Sequence, residues 1–278
     1  LEVEVAADGS YLVARSSAFA GVALHRPATE EDEASTRTLE LAAIPTDIDL
    51  YERADGTPAV VTSLRGAGGV ALLDVEQALA DGAAEEVVTF IETTGANPGL
   101  AQLTPQQDRV LLYTTLVTRP RLGLLEFESE DVRTYPLRNQ IRSVAISDDG
   151  QTGVVVHEKQ EGDPPSQADP LTFFQHNHGL TLFDLETGYL RPITLQAEPV
   201  DLVMTENAEE TGLVYVMLQS DDVRKQGVVR VNLDSYRTDF SSTAREPQQI
   251  GRVGDKIFVN QASDEGRITF IDIETGSA

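Results

Sequence analysis

Two stretches of the chain, LTLFDLETG at Leu180–Gly188 and ITFIDIETG at Ile268–Gly276, share one pattern. Each is a run of apolar, β-branched and aromatic residues that ends in an aspartate and a Thr-Gly pair. Residues of these types suit a pleated, buried strand, and glycine supplies the positive φ that a tight hairpin requires. The pattern therefore predicts a β-strand followed by a hairpin turn. Weaker copies occur at Gly69–Val75, Gly123–Ser129 and Val228–Asp234.

A second element alternates with the first along the chain. It is a polar turn followed by an apolar strand, and it recurs with strand starts at Tyr11, Ala59, Val110, Val154, Leu213 and Ile257. The intervals between these starts are 48, 51, 44, 59 and 44 residues. A period of about 40–50 residues is typical of the blades of a β-propeller. Residues 142–195 show the complete unit, which is four short strands with a long connection between the second and the third.

The sequence therefore predicts an all-β protein, a β-propeller of about six four-stranded blades in a single domain. The expected blades are 1–45, 46–97, 98–139, 140–197, 198–246 and 247–278. The last repeat supplies three strands. We expect its fourth strand to be missing or to come from another part of the chain, and a longer chain would allow a seventh blade.

These repeats resemble those of the YVTN-type and related bacterial β-propellers. In that family the second strand of a blade is a valine-rich run, here Val154–Val156, and the third strand ends in Asp-x-x-Thr-Gly, here Asp184–Gly188. The resemblance covers nearly the whole chain. It implies the architecture and an envelope or surface protein that is periplasmic, outer-membrane-attached or secreted. It implies no particular activity, because one fold hosts many functions.

The charge of the chain limits its partners. The sequence has 21 Lys and Arg against 46 Asp and Glu, a formal net charge of −25. Such an excess repels phosphate backbones and anionic lipid, so nucleic acid is not an expected partner, whereas cationic groups and metal ions are compatible. The absence of Cys excludes thiolate chemistry. No apolar run approaches the roughly 18 residues of a membrane span, so we expect no direct membrane insertion.

The sequence contains none of the common catalytic signatures. It lacks a Gly-x-Ser-x-Gly elbow, a P-loop, a Gly-x-Gly-x-x-Gly turn and a His-Glu-x-x-His pair. We therefore expect a non-catalytic module that binds a protein partner or a small ligand on the propeller face. The alternative is a metal-dependent hydrolase or lactonase-like enzyme with its site on that face. No cofactor is predicted other than a divalent metal ion.

The connection from His157 to Gly179 is the most unusual local feature. It holds three of the four histidines, at His157, His176 and His178. Because the flanking strands are expected to be antiparallel neighbours, the three imidazoles should converge, as zinc or copper ligands do. Phe173 and Phe174 are candidate ligand contacts that could also hold the rings in place. The alternative is a packed insertion whose histidines cap strand ends.

Two arginines flank Pro120 in the corresponding connection of the third repeat. In so acidic a chain, Arg119 and Arg121 are candidates to bind a carboxylate or phosphate group. A local ion pair is the alternative.

Two acidic features complete the set of candidates. Asp47 and Asp49 form an Asp-x-Asp whose spacing points both side chains to one strand face, where they could serve a cation, although a solvated strand end is the expected interpretation. The run Thr29–Glu33 is expected to be a solvated loop, with contact to a basic partner as the alternative.

Overall fold

The computed structural model describes residues 1–29, 33–80, 87–116, 120–163, 168–206 and 211–278. Within these residues the chain forms six antiparallel sheets, five of four strands and one of three, and in each sheet the strands follow chain order. This confirms the predicted all-β class and about six blades. The chain divides into two compact units, Leu1–Ile141 and Arg142–Ala278.

The first unit contains three sheets. The strands of the first sheet are β1 (Glu2–Val5), β2 (Leu12–Arg15), β3 (Gly21–Arg26) and β4 (Ser35–Glu40). Those of the second are β5 (Asp47–Glu52), β6 (Pro58–Leu64), β7 (Gly69–Asp74) and β8 (Val88–Glu92). Those of the third are β9 (Leu100–Leu103), β10 (Arg109–Tyr113), β11 (Arg121–Glu126) and β12 (Val132–Pro136). A short 3-10 helix (Arg65–Ala67) and helix α1 (Val75–Leu79) flank β7.

The second unit also contains three sheets. The fourth sheet of the chain consists of β13 (Ile141–Ile146), β14 (Thr152–His157), β15 (Gly179–Asp184) and β16 (Leu190–Thr194). The fifth consists of β17 (Glu198–Glu206), β18 (Gly212–Gln219), β19 (Gly227–Asn232) and β20 (Thr238–Ser242). The sixth consists of β21 (Pro247–Val253), β22 (Lys256–Gln261) and β23 (Arg267–Asp272). Helix α2 (Pro170–Gln175) lies between β14 and β15. In the part of the chain that the structure describes, no helix has the length and hydropathy to cross a membrane.

The repeat pattern predicts that the second strand of each blade is buried on both faces, which we expect of Val154–Val156, Leu213–Val216 and Ile257–Val259. Nine of these ten residues are buried, at Val154, Val155, Val156, Leu213, Val214, Tyr215, Val216, Ile257 and Val259. The prediction is wrong for Phe258, which is only partly buried. Burial on both faces requires apolar neighbours on both sides, and among the described residues the apolar cluster that includes β22 lies on the side of Ile257 and Val259.

The sixth sheet differs from the others in its strand number and in its exposed face. Its inner face packs Ile257, Val259 and Ile271 against side chains of β18. On its other face Phe258 pairs with Phe270, and Ile268 and Phe270 are 55% and 48% exposed. The expectation that this blade lacks a fourth strand is confirmed for the described residues, where β23 forms the edge of the sheet.

We expect the substitution Val155→Asp to unfold the second unit or to lower its free energy of unfolding by about 3–5 kcal/mol, because it buries an unpaired carboxylate. Val155 is fully buried in β14. Chemical denaturation followed by circular dichroism measures the change. The matched control is Val223→Asp, at a valine that is 61% exposed, where the loss should stay below about 0.5 kcal/mol. Equal effects of the two substitutions would contradict stacked sheets.

Candidate functional site

The first strands of the three sheets in the first unit are neighbours, since β5 contacts both β1 and β9. Asp47 and Asp49 lie on β5, and Glu2 and Glu4 lie on β1 with the same spacing of two residues. Residues two apart on a strand share a face. We call Glu2, Glu4, Asp47 and Asp49 the carboxylate cluster.

Asp47 is anchored at the start of β5. Its Oδ2 accepts a hydrogen bond from the backbone N–H of Ala101, at 2.6 Å. Burial is the largest influence on this carboxyl and raises its pKa to about 6, while the Ala101 N–H and the Arg15 guanidinium oppose the rise and Glu2 adds to it. Arg15 also forms an ion pair with Glu2 and donates to the carbonyl of Pro45.

Asp49 is more deeply buried than Asp47, and no hydrogen bond or positive charge of the described residues offsets the burial of its carboxyl group. Burial, followed by the charges of Asp47, Glu4 and Glu2, raises the pKa of this carboxyl to about 7. Its Oδ2 is buried and has no hydrogen-bond partner. The pKa of the buried Tyr113 hydroxyl is also raised, first by burial and then by the charges of Asp47 and Asp49. A solvated strand end is therefore the wrong interpretation of Asp47 and Asp49, because both side chains are largely removed from water.

Two acidic motifs in the sequence are a signal for this cluster. The strand Glu2–Val5 reads Glu-x-Glu and the strand Asp47–Glu52 begins Asp-x-Asp, and they occupy the same position in consecutive repeats. The first strands of consecutive blades are neighbours, so the acidic side chains of the two motifs are expected to lie close together.

The connection from His157 to Gly179, which we call the histidine loop, places its three histidines in different environments. His157 is 2% exposed, and its Nε2 lies 2.7 Å from the Thr181 hydroxyl on the neighbouring strand β15. The Phe174 ring packs edge-on against it, with ring centroids 5.5 Å apart. Both contacts are made within the fourth sheet and helix α2. His157 therefore helps to hold helix α2 against the sheet.

Helix α2 was not predicted, although its start has a sequence signal. The Asp169 carboxylate accepts hydrogen bonds from the backbone N–H groups of Leu171 and Thr172, at 2.8 and 2.9 Å, and Pro170 occupies the first turn. An N-cap aspartate followed by proline is a typical helix start. The helix carries Phe174 into the interior.

The two phenylalanines of α2 have different roles. Phe174 is 4% exposed and packs over Gly179, where a Cβ atom would lie only 2.7 Å from its ring. Phe173 is 45% exposed. Phe174 is therefore a packing residue, and only Phe173 is free to contact a ligand.

His176 and His178 follow the helix. The Nδ1 atom of His176 is buried without a hydrogen-bond partner. His178 is partly buried, and burial, followed by the charge of Lys159, lowers its pKa. Among the residues that the structure describes, no three His, Asp or Glu side chains are placed to hold one metal ion. The metal site at this loop stays a prediction.

The remaining candidates are dispersed. Arg121 is exposed at the start of β11, and its Nη1 lies 3.5 Å from the Thr134 hydroxyl. Arg119 lies outside the described residues, and so do positions 30–32 of the acidic run. The proposed pairing of the two arginines on one ligand therefore stays a prediction.

The chain shares its fold with solved β-propellers. Dihydro-heme d1 dehydrogenase NirN, in complex with DHE, is 10% identical with a TM-score of 0.54, covering 99% of this chain and 55% of its own. BBS1N, in complex with ARL6DN, is 12% identical with a TM-score of 0.51, covering 90% of this chain and 72% of its own. The periplasmic gluconolactonase PpgL of Pseudomonas aeruginosa is 16% identical with a TM-score of 0.46, covering 99% of this chain and 82% of its own.

At these identities the similarity shows the β-propeller fold alone. The chain spans about half of NirN, 55% of its length. No protein-family model and no curated protein sequence matches the chain.

The raised pKa of Asp49 makes a prediction about stability. In the folded state this carboxyl holds its proton up to about pH 7, whereas in the unfolded chain it loses it near its usual value of 3.8. The folded state therefore binds more protons in this window, and the free energy of unfolding should fall as pH rises from about 4 to 7. We expect Asp49→Asn to be more stable than the natural protein by about 1–3 kcal/mol at pH 8 and by little at pH 4.

Urea unfolding at the two pH values measures the difference. The matched control is Asp131→Asn, at an exposed aspartate of the same unit, which should change stability equally at both values. The same change at both pH values for Asp49→Asn would show that Asp49 ionises normally in the folded state.

Proposed function

We propose that this propeller is a non-catalytic binding module that holds a cationic group, an ammonium or guanidinium, at the carboxylate cluster. The observation that carries the proposal is Asp49, whose buried Oδ2 accepts no hydrogen bond and stands beside further carboxylates. A buried carboxylate without a partner lowers stability. A cation that reaches it supplies both the missing charge and the missing donor.

The geometry favours an organic cation over a metal ion. No three acidic or histidine side chains within the described ranges are placed to share a metal. An ammonium or guanidinium carries several N–H donors and can bridge carboxylates that are farther apart than metal ligands. The net charge of −25 adds a long-range attraction for basic molecules.

A basic side chain of a protein partner is the source that we favour for this cation. BBS1N, which shares the fold, was solved in complex with a protein, ARL6DN. The resemblance of the repeats to the YVTN-type propellers supports a place in the bacterial envelope, as a periplasmic, outer-membrane-attached or secreted assembly module. Both the family and the location are part of the proposal.

Calorimetric titration with agmatine and with Nα-acetyl-lysine-N-methylamide tests the site directly. We expect binding at pH 8 that weakens by about tenfold or more at pH 5.5, because the carboxyls of Asp49 and Asp47 take up protons over this range. Asp49→Asn should lower the affinity at pH 8 by about tenfold or more, and Asp131→Asn should leave it unchanged.

Two results would overturn the proposal. One is the absence of binding of either cation to the natural protein at pH 8 and low salt. The other is equal affinity in the natural protein and in Asp49→Asn, which would assign the binding to general attraction by the acidic surface. A guanidinium that binds more tightly than an ammonium would indicate an arginine of the partner.

A second candidate function is the metal-dependent hydrolase or lactonase-like enzyme, and one observation favours it. His176 keeps a buried Nδ1 without a hydrogen-bond partner, two residues from the partly buried His178. Neutral imidazole nitrogens are the commonest ligands of zinc and copper in proteins. A metal at this loop would draw these two rings together.

For this candidate we expect zinc or copper to bind the chelator-treated protein with a Kd below about 10 μM, and to bind more weakly in acid, because the metal requires neutral imidazole nitrogens. Calorimetric titration measures both. The double variant with His176→Ala and His178→Ala should lose the binding. Unchanged binding in that variant, or a Kd above about 10 μM in the natural protein, would leave the loop as a packed insertion.

A further inference from the structure

Three hairpin turns of the second unit have the same construction. They follow β15, β19 and β23 and read DLETG at Asp184–Gly188, NLDSY at Asn232–Tyr236 and DIETG at Asp272–Gly276. In each turn the backbone N–H of the fifth residue donates to the carbonyl of the first, at 2.8–2.9 Å. The side-chain oxygen of the first residue accepts from the backbone within the turn.

The fifth residue of each turn lies in the left-handed region of backbone conformation. Its φ is 75° at Gly188, 59° at Tyr236 and 69° at Gly276. Glycine adopts this conformation without steric cost, whereas a residue with a Cβ atom adopts it at a cost in free energy. The hairpin alone would be better served by glycine, so the presence of Tyr236 points to a use for its side chain.

The side chain of Tyr236 borders an open cleft. The cleft has a volume of about 360 Å³ and lies between the fourth and fifth sheets. The Tyr189 ring lies 6.1 Å from the Tyr236 ring, and the Arg191 guanidinium lies 5.8 Å from the centre of the Tyr236 ring. Carboxyl and amide groups also line the cleft, at Asp149, Gln151, Asp184 and Asp234.

These groups select a ligand by its donors. A carboxylate only accepts hydrogen bonds. The Oδ1 atoms of Asp149 and Asp184 already accept from their own turns, which leaves each Oδ2 open to a ligand. Tyr189 is 49% exposed and offers an aromatic face. A ligand that fits must carry several hydroxyl or N–H donors and an apolar face.

A saccharide unit has both properties. A cation has N–H donors too, but the position of the Arg191 guanidinium disfavours it. Arg191 already stands over the Tyr236 ring, where it would repel an incoming positive charge and occupies the position of a cation–π partner. The volume lies at the lower end of the range of small-molecule sites. We propose that this cleft binds a neutral saccharide, with one hexose unit on the face of Tyr189 and its hydroxyl groups on the aspartates.

The simpler interpretation is that Tyr236 fills a gap beside the core. Its ring does pack against the apolar cluster of the fourth and fifth sheets. A ring kept only for packing would close the space around it, yet the cleft stays open and the adjacent Tyr189 is half exposed. Packing therefore accounts for the side of the Tyr236 ring that faces the core, but it does not account for the open cleft on the other side.

Saturation-transfer NMR on the full chain, with methyl glycosides of glucose, galactose and mannose and with tetramethylammonium as probes, tests the proposal. We expect at least one hexoside to bind and tetramethylammonium not to bind. Tyr189→Ala and Tyr236→Gly should each lower the affinity by about tenfold or more. Tyr236→Gly restores the residue of the sister turns, so its fold should persist, as thermal unfolding will show. Phe240→Ala, at an exposed aromatic on β20 away from the cleft, is the matched control and should bind normally.

Three outcomes would overturn the proposal. The first is that none of the hexosides binds to the natural protein. The second is that a hexoside binds equally to the natural protein, Tyr189→Ala and Tyr236→Gly. The third is that tetramethylammonium binds and the hexosides do not, which would make the cleft a cation site.

Discussion

The fold depends on strands that are apolar on both faces. Val154, Val155 and Val156 leave β14 without a polar side, and Leu213 to Val216 do the same for β18. A single four-stranded sheet cannot remove both of its faces from water, so each sheet requires a neighbour on either side. Within each unit this requirement stacks three sheets, and the same stacking sets the first strands of successive sheets next to each other.

That adjacency creates the carboxylate cluster. Glu-x-Glu on β1 and Asp-x-Asp on β5 are ordinary acidic pairs as isolated strands, but the neighbouring sheets remove water from Asp47 and Asp49. Burial then raises both pKa values, and each charge makes its neighbours harder to ionise. A fold that keeps such groups gives up stability at neutral pH. Such a loss is typical of residues retained for binding rather than for packing.

The sixth sheet shows what happens where the constraint is met on one side only. Its inner face joins the core through Ile257, Val259 and Ile271, while Ile268 and Phe270 remain exposed. The burial along β22 consequently alternates, in contrast to the continuous burial of β14 and β18.

The three hairpin turns of the second unit share one backbone conformation, which carries glycine in two copies and Tyr236 in the third. Comparison of the three turns therefore identifies Tyr236 as the residue that the turn itself does not require.

The sequence by itself determined the all-β class, the number of repeats and the strand order, because these follow from local patterns: apolar runs of strand length and turn residues with positive φ. It also identified the three-stranded last repeat by simple counting. It did not determine which faces are covered. That depends on non-local packing, which removed Asp47 and Asp49 from most of their contact with water, left Phe258 partly exposed, and engaged His157 with Thr181 and Phe174. The loss of water around a side chain depends on the neighbours that the tertiary structure brings to it. Only the tertiary structure therefore decided which of these side chains are removed from water.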